Sequence, residues 1–240
     1  MHFSPGAHSR LTQHDLDRFS GDTLFDRIGR VVCGVNRLPR KELYEAWEVA
    51  RRVRRWCRGG RVVDVAGGHG LLAHLLLLLD DSSPDALVVD PSRPASSGPL
   101  QRAIVAAWPR LDGRVSFLEA DIGEVTLAAT DLVVSSHACG DLTDRILDAA
   151  MRASARLAVL PCCHDLETCD AGPLAGWLEG TLAIDAVRAM RLDARGYQVR
   201  TQTIPGAITP QNRLLMATPA RQVSSPARRQ ADRRPGSSSR

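Results

Sequence analysis

The sequence predicts an α/β fold: a mostly parallel, seven-stranded sheet with helices on both faces and an antiparallel pair of strands at the end. Short apolar segments alternate with amphipathic ones through the middle of the chain, which is typical of parallel strands joined by covering helices. A glycine-rich turn also follows the first of these strands. Because such sheets bind ligands beyond the carboxyl ends of their strands, this turn marks the expected site.

The composition is that of an ordinary globular protein. Of the 240 residues, 44% are hydrophobic and 24% are charged. No apolar run approaches the roughly 20 residues of a membrane helix, and the N-terminus lacks the pattern of a signal peptide. We therefore expect a cytoplasmic protein with no membrane partner, whose cysteines are free thiols rather than a disulfide framework. The oligomeric state is left open.

Composition divides the chain into three regions. Residues 1–37 are polar and mixed, without a sustained period, and are a predicted N-terminal extension; residues 38–219 are the predicted folded domain. Residues 220–240, rich in arginine and serine, are predicted to be a disordered tail. The tail holds six arginines and one acid, which more than accounts for the net charge of +4. Overall basicity is therefore weak evidence for a nucleic-acid partner.

The folded region opens with a predicted amphipathic helix at 39–56. Leu43, Trp47 and Ala50 recur at helical spacing, and Pro39 suits the first turn. The opposite face carries four arginines: Arg51, Arg52, Arg54 and Arg55. Both a solvated face and a surface for an anionic substrate such as RNA explain this charge.

The elements that follow alternate along the chain. Predicted strands span 62–66, 86–90, 114–119, 131–136 and 156–160, and the antiparallel pair spans 197–204 and 214–218. Predicted helices span 71–79, 100–108, 143–153 and most of 173–190.

Four small residues follow the first predicted strand: Ala66, Gly67, Gly68 and Gly70. Glycines let the backbone turn tightly and approach a ligand closely. The helix that comes next points free N–H groups at the ligand, which suits a carboxylate. We therefore expect a cofactor at this loop.

Two cofactors fit the loop. Gly68, Gly70 and Ala73, with the acid Asp90 further on, satisfy the dinucleotide fingerprint, so NAD-dependent oxidoreduction is an alternative. Asp64, however, lies inside the strand, where dehydrogenases generally have an apolar residue. A buried carboxylate needs a partner, and the ammonium group of S-adenosylmethionine provides one. The loop therefore favours S-adenosylmethionine and a Rossmann-like methyltransferase fold.

Residues after the next strands extend the predicted cofactor site. Asp90 ends the second strand, where a carboxylate can accept hydrogen bonds from ribose hydroxyls. Asp121 and Ile122 follow the third strand, where methyltransferases often place an acid beside the adenine amino group and an apolar residue against its ring. A helix N-cap is the alternative for Asp121. Ser135, at the end of the fourth strand, completes the cofactor-binding set.

Histidine and cysteine are concentrated in the loops after the fourth and fifth strands. Residues 135–144 are SSHACGDLTD, and residues 161–165 are PCCHD. Parallel strands end at one edge of a sheet, so both loops should lie beside the glycine loop. Five side chains are thereby expected near the transferred methyl group: His137, Cys139, Cys162, Cys163 and His164.

The motifs HACGDLTD and PCCH together resemble a methyltransferase-domain family of bacteria and eukaryotes. This family includes the methyltransferase-like domain of the glutathione S-transferase C-terminal domain-containing protein. The first motif is also similar to the eukaryotic 2′-O-methyltransferase of the tRNA acceptor stem. The segments RKELYEAWE at 40–48 and ITPQNRL at 208–214 have counterparts in such proteins. The resemblance covers about residues 38–219.

The resemblance implies a class I methyltransferase with S-adenosylmethionine as its cofactor. It places His137 and Cys139 at the methyl-transfer end as catalytic candidates. Ala66 stands where the family has its first glycine, and a methyl group is a small intrusion there. The implied cofactor residues are Asp64, Gly68, Gly70, Asp90 and Asp121.

Four interpretations of the histidines and cysteines stay open. They could form a wall that positions the acceptor, with His137 orienting or deprotonating it. Cys139 and Cys162 match by position the nucleophiles of RNA cytosine-C5 methyltransferases, without their flanking residues. Two histidines and three thiols could bind a metal, but their spacing is no standard zinc pattern, so no metal ligand is assigned. Lastly, the thiols could be small packing residues.

The sequence thus predicts a methyltransferase that uses S-adenosylmethionine on an unidentified acceptor. RNA is the first expectation for that acceptor, from the basic helix, the arginine tail and the resemblance to a tRNA enzyme. An NAD-dependent oxidoreductase is one alternative. A non-catalytic RNA-binding or regulatory protein that retains the fold is the other.

Overall fold

The computed structural model of the chain describes residues 4–220, so the predicted disordered tail lies almost wholly outside the described residues. One sheet contains seven strands, as predicted from the sequence. They are β1 (Val62–Val65), β2 (Ala86–Asp90), β3 (Val115–Glu119), β4 (Leu132–Ser135), β5 (Arg156–Val159), β6 (Tyr197–Thr203) and β7 (Arg213–Pro219).

The strands lie in the order β3-β2-β1-β4-β5-β7-β6. Strands β1 to β5 are parallel, and β7 runs antiparallel to both of its neighbours, which confirms the predicted mostly parallel sheet with a final antiparallel pair. The chain winds outward in opposite directions from β1 and β4. A crevice at that reversal is where such sheets bind their ligands.

Six α-helices cover the two faces of the sheet in the described part of the chain: α1 (Leu24–Val35), α2 (Arg40–Trp56), α3 (Leu71–Leu79), α4 (Ser97–Ala107), α5 (Asp141–Ala153) and α6 (Gly180–Ala194). Helices α1 to α4 pack on one face, in an apolar cluster with Val62 and Val88. Helices α5 and α6 pack on the other face, with Val63 and Val65. The alternation along β1 therefore points Asp64 toward the face that α2 and α3 cover.

The N-terminal region is folded, although its sequence shows no sustained hydrophobic period. A short 3-10 helix (Gln13–Phe19) precedes α1, which begins with a capping box between Thr23 and Asp26. Phe25 of α1 packs against Phe19, Tyr44 and Trp47 with ring centroids 5.2–5.8 Å apart. The buried side of α1 belongs to the same core as α2, α3 and α4.

Two expected features differ in the structure. The helix expected over 173–190 is interrupted: a 3-10 turn at Gly172–Gly176 comes first, and α6 begins at Gly180, where the carboxylate of Glu179 accepts hydrogen bonds from two backbone N–H groups. Helix α4 begins at Ser97 rather than at residue 100. Within residues 4–220, no helix is both long and apolar enough to cross a membrane.

The basic face expected on α2 is smaller than predicted, because Arg54 is buried. Its guanidinium donates to the carbonyl of Leu76 at 3.1 Å and to the hydroxyl of Ser83 at 2.9 Å, and it pairs with Asp80 at 3.2 Å. Arg51 and Arg52 both pair with Glu48. Of the four arginines, only Arg55 is exposed. The hypothesis that this face binds an anionic substrate is correspondingly weakened.

Candidate functional site

The loop after β1 turns through three residues in the left-handed region: Ala66 (φ 52°), Gly68 (φ 49°) and Gly70 (φ 77°). The turn is closed by a hydrogen bond from the Gly70 N–H to the Gly67 carbonyl at 2.7 Å. A Cβ on Gly70 would lie 2.9 Å from the Phe117 ring, whereas a Cβ on Gly68 would meet nothing described within 4 Å. Gly70 is therefore required for packing, and Gly68 faces open space.

Asp64 is buried at the base of this loop, with 1% of its surface exposed. Its Oδ2 accepts a hydrogen bond from the Ala73 N–H in α3 at 3.1 Å, while its Oδ1 has no hydrogen-bond partner among residues 4–220. Burial, reinforced by the negative charge of Asp90, raises the pKa of Asp64 to about 7. Among residues 4–220, one oxygen of this buried carboxyl group therefore has no partner.

A second carboxyl group, that of Glu42 in the first turn of α2, lies close enough to Asp64 for the charge of Asp64 to affect its pKa. Burial and the neighbouring charges of Glu45 and Asp64 raise the pKa of Glu42 to about 8. Sequence reasoning missed Glu42. The signal was available, because the segment at 40–48 was noted for its family resemblance, but only the fold brings the start of α2 over the loop that follows β1.

Glu42 also contacts the glycine loop directly. Its Oε2 lies 3.6 Å from Nε2 of His69. This pair is neutral near pH 7, because burial lowers the pKa of His69 while that of Glu42 is raised. His69 therefore supplies no positive charge to Glu42 at that pH, and ionisation of the buried acids Glu42 and Asp64 stays unfavourable.

The N-terminal part of α2 is also tied to the ITPQNRL segment at 208–214. Glu45 is buried and pairs with Lys41 at 3.4 Å. The hydroxyl of Thr209, in the ITPQNRL segment, donates a hydrogen bond to the Glu45 carboxylate, which opposes the rise that burial causes in the pKa of Glu45. This contact holds the first turn of α2 in place over the crevice.

Asp90 closes the loop from the end of β2. Its Oδ2 accepts a hydrogen bond from the Gly68 N–H at 3.1 Å, and its Oδ1 accepts one from the Ser92 N–H at 3.1 Å. Ser135, at the end of β4, is fully buried, and its hydroxyl has no partner within the described residues. Ser135 lies on β4, which is next to β1 where the strand order reverses, and Asp90 ends the strand on the other side of β1.

Asp121 has a structural role in the described chain. It caps the 3-10 turn Ile122–Glu124, where its carboxylate accepts the Gly123 N–H at 2.9 Å, and it pairs with Arg145. These contacts hold the pKa of Asp121 below its usual value. Ile122 is buried in the cluster with Val63 and Val65. The contacts of Asp121 match the N-cap alternative. The expected roles of Asp121 and Ile122 in binding an adenine ring stay predictions.

His137 lies after β4 and is partly buried. Burial, with the positive charges of Lys41 and His69 nearby, lowers its pKa, and Asp90 opposes the shift. These electrostatic neighbours place the imidazole close to the glycine loop. A neutral imidazole there can accept a proton.

The loops after β4 and β5 bring three thiols together. The sulfur atoms of Cys139, Cys162 and Cys163 all lie within 4.8 Å of one another, and those of Cys139 and Cys162 are 2.9 Å apart. Burial raises the pKa of Cys139 and of Cys162. Neutral thiols are poor nucleophiles, which disfavours the interpretation of either cysteine as the attacking group.

His164 does not join the thiols. Its imidazole is buried against α6, and its Nε2 lies 2.7 Å from Oδ1 of Asp185. Asp185 also accepts hydrogen bonds from Arg213 at 2.7 Å and from Arg188 at 3.4 Å. Helix α6 thus supplies the ring with a carboxylate, and His164 is not part of the group of thiols. Its expected position near the transferred methyl group stays a prediction.

Comparison with known protein families shows the class to which this protein belongs. A family model described as a methyltransferase domain matches residues 41–169, just over half of the chain. The chain belongs to this methyltransferase-domain family. A search of curated proteins finds no match.

Solved methyltransferase structures share the fold. An O-methyltransferase family protein from Burkholderia thailandensis is 19% identical with a TM-score of 0.50; the alignment covers 88% of this chain and 63% of that protein. A precorrin-6y C5,15-methyltransferase from Geobacter metallireducens is 14% identical with a TM-score of 0.48, and the alignment covers 72% and 87% of the two chains. This chain thus spans less than two thirds of the Burkholderia protein.

Proposed function

We propose that this protein transfers a methyl group from S-adenosylmethionine, which it binds in the crevice around Gly68 and Gly70. The observation that carries the proposal is the buried Asp64 at the base of the loop, whose Oδ1 has no hydrogen-bond partner within residues 4–220. The buried acid Glu42 lies nearby, and burial raises the pKa of both groups. A buried acidic pair is stabilised by a cationic ligand. S-adenosylmethionine is such a ligand, since it carries an ammonium and a sulfonium group.

The residues present fit this cofactor. Oδ1 of Asp64 is available to its ammonium group, and the hydroxyl of Ser135 is unpartnered within the described chain. The open side of Gly68 and the first N–H groups of α3 suit its carboxylate. Asp90, beside the loop, can accept hydrogen bonds from the ribose hydroxyls.

When bound, S-adenosylmethionine supplies an electrophilic methyl group on sulfur. The task of the chain is then to align the acceptor and to remove its proton where it carries one. We assign the second role to His137, because its lowered pKa leaves it neutral near pH 7. Glu42 helps to hold the cationic cofactor.

Calorimetry with the purified chain tests the cofactor. We expect S-adenosylmethionine and S-adenosylhomocysteine to bind and NAD not to bind. Asp64→Asn should weaken S-adenosylmethionine binding by about 10-fold or more, the loss of one charged hydrogen bond. Asp85→Asn, at an exposed acid on the opposite edge of the sheet, is the matched control and should bind normally. Binding of NAD without S-adenosylmethionine would contradict the proposal.

For the acceptor, we propose RNA. The support is the tail, with six arginines against one acid, and the sequence similarity of the HACGDLTD motif to a tRNA methyltransferase. The paired and buried arginines of α2 add little, as described above.

A labelled-methyl assay tests the acceptor. The full chain is incubated with tritiated S-adenosylmethionine and with RNA, protein and small-molecule fractions of a cell lysate. We expect nuclease-sensitive label in RNA, and none with Asp64→Asn. Label confined to protein or to small molecules would contradict RNA as the acceptor while leaving methyl transfer itself supported.

A further inference from the structure

Three thiols lie close together at the carboxyl edge of the sheet, and the proposed methyl transfer does not use them. Cys139 follows β4, and Cys162 and Cys163 follow β5. We propose that these three cysteines bind a zinc ion and leave its fourth coordination position to water or to an exogenous ligand.

The backbone holds the two loops in register. Cys139 and Cys163 form an isolated parallel bridge, and the Gly140 N–H donates to the carbonyl of Cys163 at 3.1 Å. Gly140 reaches this position with a φ of 56°, in the left-handed region that favours glycine. The loops are therefore fixed by main-chain contacts, and the sulfur atoms are brought together before any ion binds.

The sulfur separations suit zinc. With a Zn–S distance of about 2.3 Å, tetrahedral geometry puts pairs of sulfur atoms about 3.8 Å apart. The sulfur atoms of the cluster are all within 4.8 Å of one another, and the closest pair is at 2.9 Å. Movements below about 1 Å for each sulfur atom reach the tetrahedral arrangement. Thiolate sulfur favours zinc over magnesium or calcium, which prefer oxygen.

Packing and disulfide formation account for the cluster less well. Cys33, Cys57 and Cys169 show what packing thiols look like here, since all three are buried. Cys139 and Cys163 are exposed, so they fill no core space. A disulfide uses two sulfur atoms and leaves the third without a role, whereas a metal ion uses all three.

The fourth position is open to solvent ligands. Within the described residues, no histidine or acid joins the three thiols as a fourth donor, and His164 is held by Asp185. Three protein ligands with one open position are the arrangement of a catalytic rather than a purely structural zinc site. Because the thiols follow β4 and β5, this position lies at the sheet edge that also carries the cofactor loop.

Metal analysis of the full chain tests the proposal. The protein is reduced with a phosphine, loaded with zinc, freed of excess metal and analysed for zinc by mass spectrometry. We expect one zinc per chain. Cys139→Ser, Cys162→Ser and Cys163→Ser should each lower zinc affinity by about 100-fold or more, as measured by competition with a chromogenic chelator. Cys169→Ala, which removes a buried thiol outside the cluster, is the control and should retain zinc.

Two further readouts separate a metal site from misfolding. Circular dichroism should show native structure in the Cys139 and Cys163 variants, because both side chains are exposed. X-ray absorption of the zinc-loaded chain should give three sulfur neighbours and one oxygen or nitrogen neighbour. Fewer sulfur neighbours, or less than stoichiometric zinc in the folded wild-type chain, would overturn the proposal. So would serine variants that bind zinc as tightly as wild type.

Discussion

At the scale of single residues, the notable feature is a pair of buried acids, Asp64 and Glu42, with raised pKa values. Burial raises the pKa of Asp64 to about 7, with a further contribution from the charge of Asp90. Burial also raises the pKa of Glu42 to about 8, with contributions from the charges of Glu45 and Asp64. Such a pair is destabilised when it ionises without a cation. Its presence beside a glycine loop therefore favours binding of a positively charged ligand. The proposed cofactor rests on this argument.

Binding of S-adenosylmethionine should release protons. The ammonium group favours the charged forms of both carboxyls, so their pKa values fall on binding and protons leave at pH 7. Calorimetry in buffers of different ionisation enthalpy measures the number released. Glu42→Gln, which removes one carboxyl but keeps Asp64, should release fewer. Proton uptake on binding to wild type would contradict this account of the site.

The backbone of the loop makes two substitutions informative. Ala66 lies at φ 52°, a conformation that costs a non-glycine residue about 1 kcal/mol. Ala66→Gly should leave stability unchanged or raise it by up to about 1 kcal/mol, because relief of strain is partly offset by the flexibility of glycine in the unfolded chain. Urea unfolding measures the difference.

Gly70→Ala is the counterpart of that substitution. It should destabilise by about 2 kcal/mol or more, since it adds strain at φ 77° and a Cβ 2.9 Å from the Phe117 ring. Equal effects of the two variants would show that the loop does not have the described conformation.

At the scale of elements, helix α1 is an integral part of the core. Its residues Ile28, Val32 and Cys33 are buried with those of α2 and α3. The apolar residues recur at helical spacing from Leu24 to Val35, so a local signal was present. Two glycines within the helix and the polar residues before it obscured that signal.

Two glycines of α1 give a matched test of its docking. A Cβ at Gly29 would lie 2.2 Å from the Phe19 ring, whereas one at Gly34 meets nothing described within 4 Å. Gly29→Ala should destabilise by about 1 to 3 kcal/mol through overpacking. Gly34→Ala should stabilise by up to about 1 kcal/mol through helix propensity. If thermal unfolding showed stabilisation by both, α1 would not pack against Phe19 as described.

At the scale of the whole molecule, the acidic pair affects how stability depends on pH. A carboxyl with a raised folded pKa binds more protons in the folded state than in the unfolded state, so the free energy of unfolding falls as pH rises toward the folded pKa. For Glu42 this window runs from about 4.5 to about 8. Burial lowers the pKa of His74 to about 4. Its effect on the free energy of unfolding has the opposite sign and is confined to pH values below about 6.5.

The cofactor-free protein should therefore lose stability between about pH 6.5 and pH 8. The loss assigned to Glu42 is about 1 to 2 kcal/mol over that range, from the conversion of pKa shifts to free energy. Urea unfolding at several pH values measures it, and Glu42→Gln should flatten the curve. Glu119→Gln, at an exposed acid, is the control. A free energy of unfolding that rises between these pH values would contradict the sign.

Much of the architecture was predictable because its signals are local. The bounds of α3 and β2 match their predicted ranges, since a mostly apolar segment between turns determines each of them. The prediction of a helix over 173–190 was less accurate, because a 3-10 turn comes first and the cap at Glu179 begins the helix only after it. The position of Asp64 inside β1 was also predictable from the sequence, because a strand is recognised from a few consecutive residues.

What the sequence by itself determined is thus the order of strands and helices, the glycine loop and the acid within β1. Only the tertiary structure decided that Glu42 comes near Asp64 and that His164 pairs with Asp185. It also brought the sulfur atoms of the three cysteines, which the sequence places in neighbouring loops, to within 4.8 Å of one another. It also buried Arg54, which the sequence had placed on a basic surface. The physical reason is that periodicity records the face of an element, whereas the neighbours of that face depend on strand order and on long crossover connections.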